Sequence, residues 1–121
     1  MSNQTVAFGV DIGGTSVKMG LFSVEKGLLE KWQIPSRSDG DSAAMLAEIA
    51  DSLLGKIAEK RLAPSDIRGI GVGAPGPVDA QGVVHICVNL GWGKVALKDD
   101  LEALCGLTVR AENDANVAAL G

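Results

Sequence analysis

The segment VAFGVDIGGTSVKMGL (residues 6–21) places two runs of alternating apolar residues on either side of a Gly-Gly pair. A period of two is typical of β-strands, so residues 6–12 and 17–21 are predicted to be strands. Gly13-Gly14 is a turn signal. The second strand is therefore predicted to pair back on the first as a hairpin.

The rest of the chain alternates strand-like and helix-like patterns. Apolar residues recur at steps of three and four after a polar loop at residues 35–41, and Pro64 ends this pattern. The predicted elements are a third strand at 28–34, a helix at 43–61 capped by Asp41 or Ser42, a glycine-rich strand at 67–74, a small hairpin at 78–88, a short helix ended by Gly106, a strand at 107–112 and a helix opening at Asn113-Asp114 and running over 115–120. The fold class is α/β, with a mixed five-stranded sheet, an antiparallel meander of the first three strands and flanking helices.

The composition supports this class and narrows the function. Of the 121 residues, 46% are hydrophobic but only 3% are aromatic, so the core is aliphatic. The net charge is −4 and the 11 basic residues are scattered, which argues against a nucleic-acid partner. The sequence contains neither a secretory signal nor an apolar run long enough for a membrane span, so we expect a cytoplasmic protein without a membrane partner. Cys87 and Cys105 are expected to be reduced thiols.

The first candidate site is the turn between the first two strands, from Asp11 to Lys18. Because its glycines lie between two strands, it matches neither a P-loop nor a dinucleotide fingerprint, in which the glycines open a helix. Gly13 and Gly14 can take positive φ and leave backbone N–H groups pointing outward, and such donors, with the Thr15 hydroxyl, can hold phosphate oxygens. Asp11 suits Mg²⁺, often through water, and Lys18 could reach phosphate. An ordinary hairpin turn explains the glycines equally well.

Two further polar loops follow strands. Glycines at 69, 71 and 73 line one face of the strand at 67–74, which predicts that a backbone or a ligand approaches closely there. Gly76 lies in the stiff Pro-Gly-Pro turn after it, although such a turn needs no ligand. Residues 112–116, Glu-Asn-Asp-Ala-Asn, follow the last strand, and they contain more polar side chains than a helix cap requires.

These segments together resemble the ROK family of sugar kinases and repressors, within the actin-like ATPase superfamily, and its bacterial glucokinases in particular. The resemblance covers residues 6–121. The matching segments are Asp11-Ile12-Gly13-Gly14-Thr15, Gly73-Ala74-Pro75-Gly76-Pro77-Val78-Asp79, Asn89-Leu90-Gly91-Trp92 and Glu112-Asn113-Asp114-Ala115-Asn116.

The resemblance implies ATP-dependent phosphorylation of a hexose, with glucose the expected substrate. Asp114 would be the catalytic base, Asn113, Asn89 and the backbone around Gly76 would bind the sugar, and the Asp11–Thr15 turn would face the ATP phosphates. Trp92 is expected to be a packing anchor rather than a sugar-stacking platform, and His85 a surface or packing residue rather than a ligand.

The family's zinc site and most of its adenosine pocket would lie in a C-terminal lobe. Residues 1–121 are therefore interpreted as the N-terminal lobe alone, without zinc ligands and inactive by itself, of a protein that forms a homo-oligomer at full length. The final helix pattern stops at Gly121, which favours the same interpretation. A sugar-sensing domain of a ROK-type repressor is the alternative; the identity of the hexose and polyphosphate as a donor stay open.

Overall fold

Across the described ranges, five strands form one mixed sheet. The computed structural model describes residues 5–37, 39–74 and 76–113, with the backbone alone at 112 and 113. The strands are β1 (Val6–Ile12), β2 (Ser16–Ser23), β3 (Gly27–Pro35), β4 (Ile67–Ala74) and β5 (Val109–Asn113), in the order β3-β2-β1-β4-β5. β2 is antiparallel to β1 and β3, whereas β4 is parallel to β1 and to β5. The predicted meander and the mixed five-stranded sheet are confirmed.

Among the described residues, two α-helices contribute to the core: α1 (Ser42–Glu59) and α2 (Leu97–Cys105). They pack on the sheet face that carries the alternating apolar residues, as expected for crossover connections of one hand. The core combines strand residues Val6, Phe8, Val10, Ile12, Val17, Met19, Leu21, Ile70, Val72 and Val109 with helix residues Met45, Leu46, Ile49, Ala50, Leu53, Leu97 and Leu101.

The ends of α1 are set by two local features. Asp41 is the N-cap, and its side chain accepts a hydrogen bond from the N–H of Ala44, so the first of the two predicted caps is the correct one. The helix ends at Glu59 and not at the predicted residue 61, because Arg61 takes a positive φ of 55°. This left-handed residue lets the Leu62 N–H donate to the Ile57 carbonyl, which closes the last turn.

Other boundaries differ modestly from the sequence prediction. A short 3₁₀ helix, Pro64–Asp66, precedes β4 and was not predicted. The last strand begins at Val109, two residues later than expected. Gly106 does end α2 with a φ of 72°, as predicted. The predicted helix at 115–120 lies outside the described residues.

The small hairpin predicted at residues 78–88 is present in minimal form, as a turn at 79–82 closed by the antiparallel bridge of Val78 and Val84, but no regular ladder follows. Its backbone instead forms three isolated bridges: Val78 to Val84, Val84 to Val95, and Cys87 to Trp92. Val84 bridges two partners because the chain after it returns along its other side. The segment between β4 and α2 is therefore a compact loop, held by single pairs and not by a two-stranded ribbon.

Candidate active site

The β1–β2 turn is tight, but its two glycines do not adopt the positive φ that glycine allows. Neither Gly13 nor Gly14 is among the glycines with positive φ. Gly13 is required for a different reason: its N–H donates to the Ser16 carbonyl at 3.0 Å, and a Cβ at Gly13 would lie 2.9 Å from that oxygen. At Gly14 a Cβ would meet nothing within 4 Å. Glycine at position 13 thus allows the close approach of the Ser16 carbonyl, whereas the space beside Gly14 is open.

Ser36, which directly follows β3, holds two carbonyl groups of this turn. Its hydroxyl donates to the Gly13 carbonyl at 2.7 Å, and its N–H donates to the Thr15 carbonyl at 3.1 Å. The N–H groups of Gly14 and Thr15, by contrast, find no acceptor within the part of the chain that the structure describes, and both residues are exposed. The carbonyls of Gly13, Thr15 and Ser16 are therefore occupied, whereas two backbone donors of the turn have no described acceptor.

Sequence reasoning missed Ser36 because it treated residues 35–41 as a plain loop. The signal was a hydroxyl placed immediately after the strand that pairs with β2, where the β2–β3 ladder reaches Ser16 and Pro35. Because of this register, a serine at position 36 lies beside the β1–β2 turn.

Asp11 and Lys18 form a directly opposite pair on β1 and β2. Opposite residues of two strands point to the same face of a sheet, and here it is the face away from the helices, since Val10 and Ile12 on the other face are buried in the core. Asp11 is half-buried and Lys18 exposed. Asp11 also neighbours Gly73 on β4. The carboxylate thus stands at the base of the turn, next to a residue without a side chain.

The carboxyl ends of β1, β4 and β5 meet at one edge of the sheet because these strands are parallel. In the ladder, Asp11 pairs with Gly73, which pairs with Glu112, and Ala74 pairs with Asn113. Asn113 therefore lies at the end of β5, two strands away from Asp11 in the sheet. At the usual spacing between strands, this separation is about 10 Å. Asp114, like Asn116, lies outside the described residues, so the backbone shows only the point at which the chain reaches it.

The glycines of β4 behave unequally. At Gly69 a Cβ would lie 2.8 Å from the Thr108 carbonyl oxygen, which confirms the predicted close backbone approach. At Gly71 no described atom lies within 4 Å, so no backbone approaches closely there, and the approach of a ligand stays a prediction. Beyond the strand, a Cβ at Gly76 would lie 3.1 Å from the carbonyl oxygen of Ile86. Gly76 therefore allows the following loop to pack closely against the strand end.

Asp79 organises the loop that carries Asn89. Its carboxylate accepts from the N–H of Gln81 at 2.9 Å and of Val83 at 3.0 Å, and its second oxygen lies 2.8 Å from Nε2 of His85. The Val83 N–H and then His85 hold the pKa of Asp79 below its usual value. His85 is mostly exposed, so it is a surface residue with a structural partner.

Asn89 lies exposed on a tight turn, with Gly91 donating its N–H to the Val88 carbonyl at 3.1 Å. The turn is closed by the reciprocal hydrogen bonds between Cys87 and Trp92. Trp92 is only 3% exposed. This burial confirms the prediction that the tryptophan anchors the loop instead of stacking on a sugar.

The Asn89 turn also touches the segment that leaves Ser36. Gly40 and Gly91 both have positive φ, 81° and 71°, and their backbones cross: a Cβ at Gly40 would lie 3.1 Å from the Gly91 carbonyl oxygen, and one at Gly91 would lie 3.2 Å from Gly40 Cα. The candidate phosphate turn and the candidate sugar turn are thus joined through one short stretch of chain.

Within the described ranges, no group of three or more His, Cys, Asp or Glu side chains is arranged to hold a metal ion. Cys87 is buried and Cys105 half-buried, and neither forms a disulfide. Burial raises the pKa of the Cys105 thiol. The Cys105 thiol is therefore not set up as a nucleophile.

No helix among the described residues is long and apolar enough to cross a membrane.

Comparison with known families agrees with this arrangement. The model of the ROK family matches residues 7–121, nearly the whole chain. The chain belongs to the ROK family. A glucokinase from Halalkalibacterium halodurans is 40% identical over 114 residues, which are 93% of this chain and 34% of that protein.

Solved ROK structures share the fold. The ROK family glucokinase from Streptomyces griseus, in complex with glucose and AMPPNP, superimposes with a TM-score of 0.68 at 33% identity, over 96% of this chain and 35% of that one. A ROK family transcriptional regulator superimposes with a TM-score of 0.73 over 92% of this chain and 28% of its own, but at 21% identity that likeness shows the fold alone. The chain spans about a third of the length of the curated relatives it matches.

Proposed function

We propose that this chain is the N-terminal lobe of an ATP-dependent hexose kinase, with glucose as the expected substrate. The observation that carries the proposal is the β1–β2 turn, whose carbonyls are held inward by Ser36 while the N–H groups of Gly14 and Thr15 have no described acceptor. The likeness to glucokinases, one of them solved with glucose and an ATP analogue, supports the same activity.

In this proposal the nucleotide side is the β1–β2 turn. Backbone N–H groups of Gly14 and Thr15, with the Thr15 hydroxyl and Lys18, would bind phosphate oxygens. Such groups neutralise charge that develops during phosphoryl transfer, which depends mainly on positioning and electrostatics. Gly13 would contribute by keeping the turn closed.

Mg²⁺ would accompany the nucleotide, and Asp11 fits it. Asp11 is a half-buried carboxylate at the base of the turn, beside Gly73, and a carboxylate is the ligand that Mg²⁺ would share with its retained water molecules. When bound, the ion would neutralise phosphate charge. We propose no zinc ligand in this chain.

The sugar side would be the edge formed by the Asn89 turn, Gly76 and the end of β5. Asn89 and Asn113 would hydrogen-bond sugar hydroxyls, and the backbone at Gly76 would contact the ring. Asp114, the next residue after β5, would accept the proton of the hydroxyl that attacks the γ-phosphate. Supporting this, β5 delivers the chain to the same sheet edge as Asp11.

The test is a coupled assay for ADP release by the complete protein with MgATP and a panel of hexoses, with polyphosphate as an alternative donor. Hexose-dependent ADP formation is expected, and glucose should give the highest kcat/KM. The isolated 121-residue chain is expected to be inactive, because it supplies only one lobe. Sugar binding by the complete protein without phosphorylation, together with sequence-specific DNA binding, would favour the sugar-sensing repressor domain instead.

A further inference from the structure

Ser36 is the side chain that fixes the orientation of the β1–β2 turn. It makes two hydrogen bonds to that turn, 2.7 Å from its hydroxyl to the carbonyl of Gly13, which lies 23 residues earlier in the sequence, and 3.1 Å from its N–H to the Thr15 carbonyl. It is half-buried, and it follows the end of β3 directly. Because the strand pairing fixes its backbone, its hydroxyl has a defined place beside Gly13.

The consequence for the nucleotide follows from the planarity of the peptide unit. In a trans peptide the C=O of one residue and the N–H of the next point in opposite directions. Holding the Gly13 carbonyl toward Ser36 therefore turns the Gly14 N–H away from Ser36, to the outside of the turn. Without the hydroxyl, the Gly13–Gly14 peptide could rotate and present a carbonyl oxygen to a phosphate, since neither glycine has a side chain to resist the rotation.

We infer that Ser36 is a positioning residue for nucleotide binding: by holding the Gly13 carbonyl it sets the Gly14 N–H of the β1–β2 turn toward the phosphates without touching the nucleotide itself. This inference rests on the proposed kinase function, and it assigns the selection of an anion to a hydroxyl outside the turn. It also predicts that the sugar side is unaffected by loss of that hydroxyl.

The experiment uses the complete protein and three substitutions at one position. Ser36→Ala removes the hydroxyl but keeps the N–H that donates to Thr15, and it should raise the KM for MgATP about tenfold while the KM for the hexose stays within twofold. Ser36→Thr keeps a hydroxyl and should restore the KM for MgATP to within about threefold of the unsubstituted value. Ser36→Cys has a similar size but donates weakly, so its KM should fall between those values.

The matched control is Ser23→Ala, in the other turn of the meander. Ser23 Oγ accepts from the N–H groups of Glu25 and Lys26, both at 3.2 Å, so this variant also loses hydroxyl hydrogen bonds in a turn. It should lower Tm and leave both KM values unchanged. An unchanged KM for MgATP in Ser36→Ala, or in Ser36→Cys where the alanine variant does not fold, would overturn the inference. So would an equal rise of both KM values, or a failure of Ser36→Thr to rescue.

If the unsubstituted complete protein phosphorylates no hexose, the proposed function fails, and the inference is decided by binding instead. Calorimetry with AMPPNP and Mg²⁺ should then show the same order of affinities, with Ser36→Thr above Ser36→Cys and Ser36→Cys above Ser36→Ala. Equal affinities of the three variants would contradict the positioning role.

Discussion

The β1–β2 turn and the β2–β3 turn belong to one meander, but they use their backbone polar groups in opposite ways. In the β2–β3 turn, Ser23 accepts from the N–H groups of Glu25 and Lys26, and the Val24 N–H donates to the Thr5 carbonyl at 3.0 Å. In the β1–β2 turn the serine outside the turn is a donor, and the carbonyls are the groups it satisfies. The β2–β3 turn thus has the N–H groups of Val24, Glu25 and Lys26 occupied, whereas in the β1–β2 turn Ser36 occupies carbonyls and the N–H groups of Gly14 and Thr15 have no described acceptor.

The difference teaches that a Gly-Gly hairpin is not by itself an anion site. Backbone donors in a turn are useful to a phosphate only when the surrounding protein does not occupy them. A hydroxyl can serve either arrangement, because it both donates and accepts. Its position relative to the turn decides which arrangement results.

The largest effect is expected from replacing Asp114, the proposed general base. Asp114→Asn in the complete protein should lower kcat by about 10²–10⁴, because a positioned general base is lost. Asp100→Asn, on the exposed side of α2, makes the same chemical change away from the edge and should leave kcat within twofold. Steady-state kinetics with MgATP and glucose measure both. Near-normal turnover in Asp114→Asn would remove it from the base role.

The next effect breaks the β1–β2 turn itself. A Cβ at Gly13 would lie 2.9 Å from the Ser16 carbonyl oxygen, whereas at Gly14 it would meet nothing within 4 Å. Gly13→Ala should therefore reduce the free energy of unfolding by about 1–3 kcal/mol, while Gly14→Ala should change it by less than about 0.5 kcal/mol. Urea unfolding of the two variants distinguishes them, and equal destabilisation would contradict the close Gly13–Ser16 contact.

A smaller effect is expected at the crossing of Gly40 and Gly91. Gly91→Ala places a Cβ in a left-handed conformation and 3.2 Å from Gly40 Cα, so the Asn89 turn must move. The KM for the hexose should rise about fivefold, with the KM for MgATP nearly unchanged, a shift of roughly 1 kcal/mol. Gly93→Ala, in the same loop with no neighbour within 4 Å, is the control. If both glycine variants behave alike, the crossing does not position Asn89.

The smallest effect is expected on the stability of the folded chain at acidic pH. The N–H of Val83 and then His85 lower the pKa of Asp79 in the folded chain, so its carboxylate adds stability above the unfolded pKa. That contribution is lost as the pH falls below about 4 toward the folded value. Asp79→Asn keeps an acceptor oxygen but does not titrate, so its urea midpoint should fall less than that of the unsubstituted chain between pH 5 and pH 3, as approximate limits of that window. Parallel losses would contradict the assignment.

Much of the fold was predictable because alternation and helical periodicity are local. The meander, α1, β4 and the Gly106 cap follow from such patterns. The end of α1 was not predictable, because it depends on Arg61 adopting a left-handed conformation that arginine seldom takes. The loop of isolated bridges after β4 was missed because Val84 pairs with Val95, which no local pattern indicates.

The polar loops of the candidate site were predictable from the sequence, but the contacts that orient them were not. Gly13 and Gly14 do not use the positive φ that is open to glycine, and a contact with the Ser16 carbonyl instead requires glycine at position 13. Ser36 could not be identified from its neighbours in sequence, because its role arises from strand register across the sheet. The roles of Asn89, Asn113 and Asp114 stay predictions.

Amide hydrogen exchange in the complete protein tests the contrast between the two turns most directly. With saturating AMPPNP and Mg²⁺, the N–H groups of Gly14 and Thr15 should exchange more slowly than without nucleotide, while those of Glu25 and Lys26 should keep their rates. Unchanged exchange at Gly14 and Thr15 with nucleotide bound would contradict the claim that the β1–β2 turn receives the phosphates.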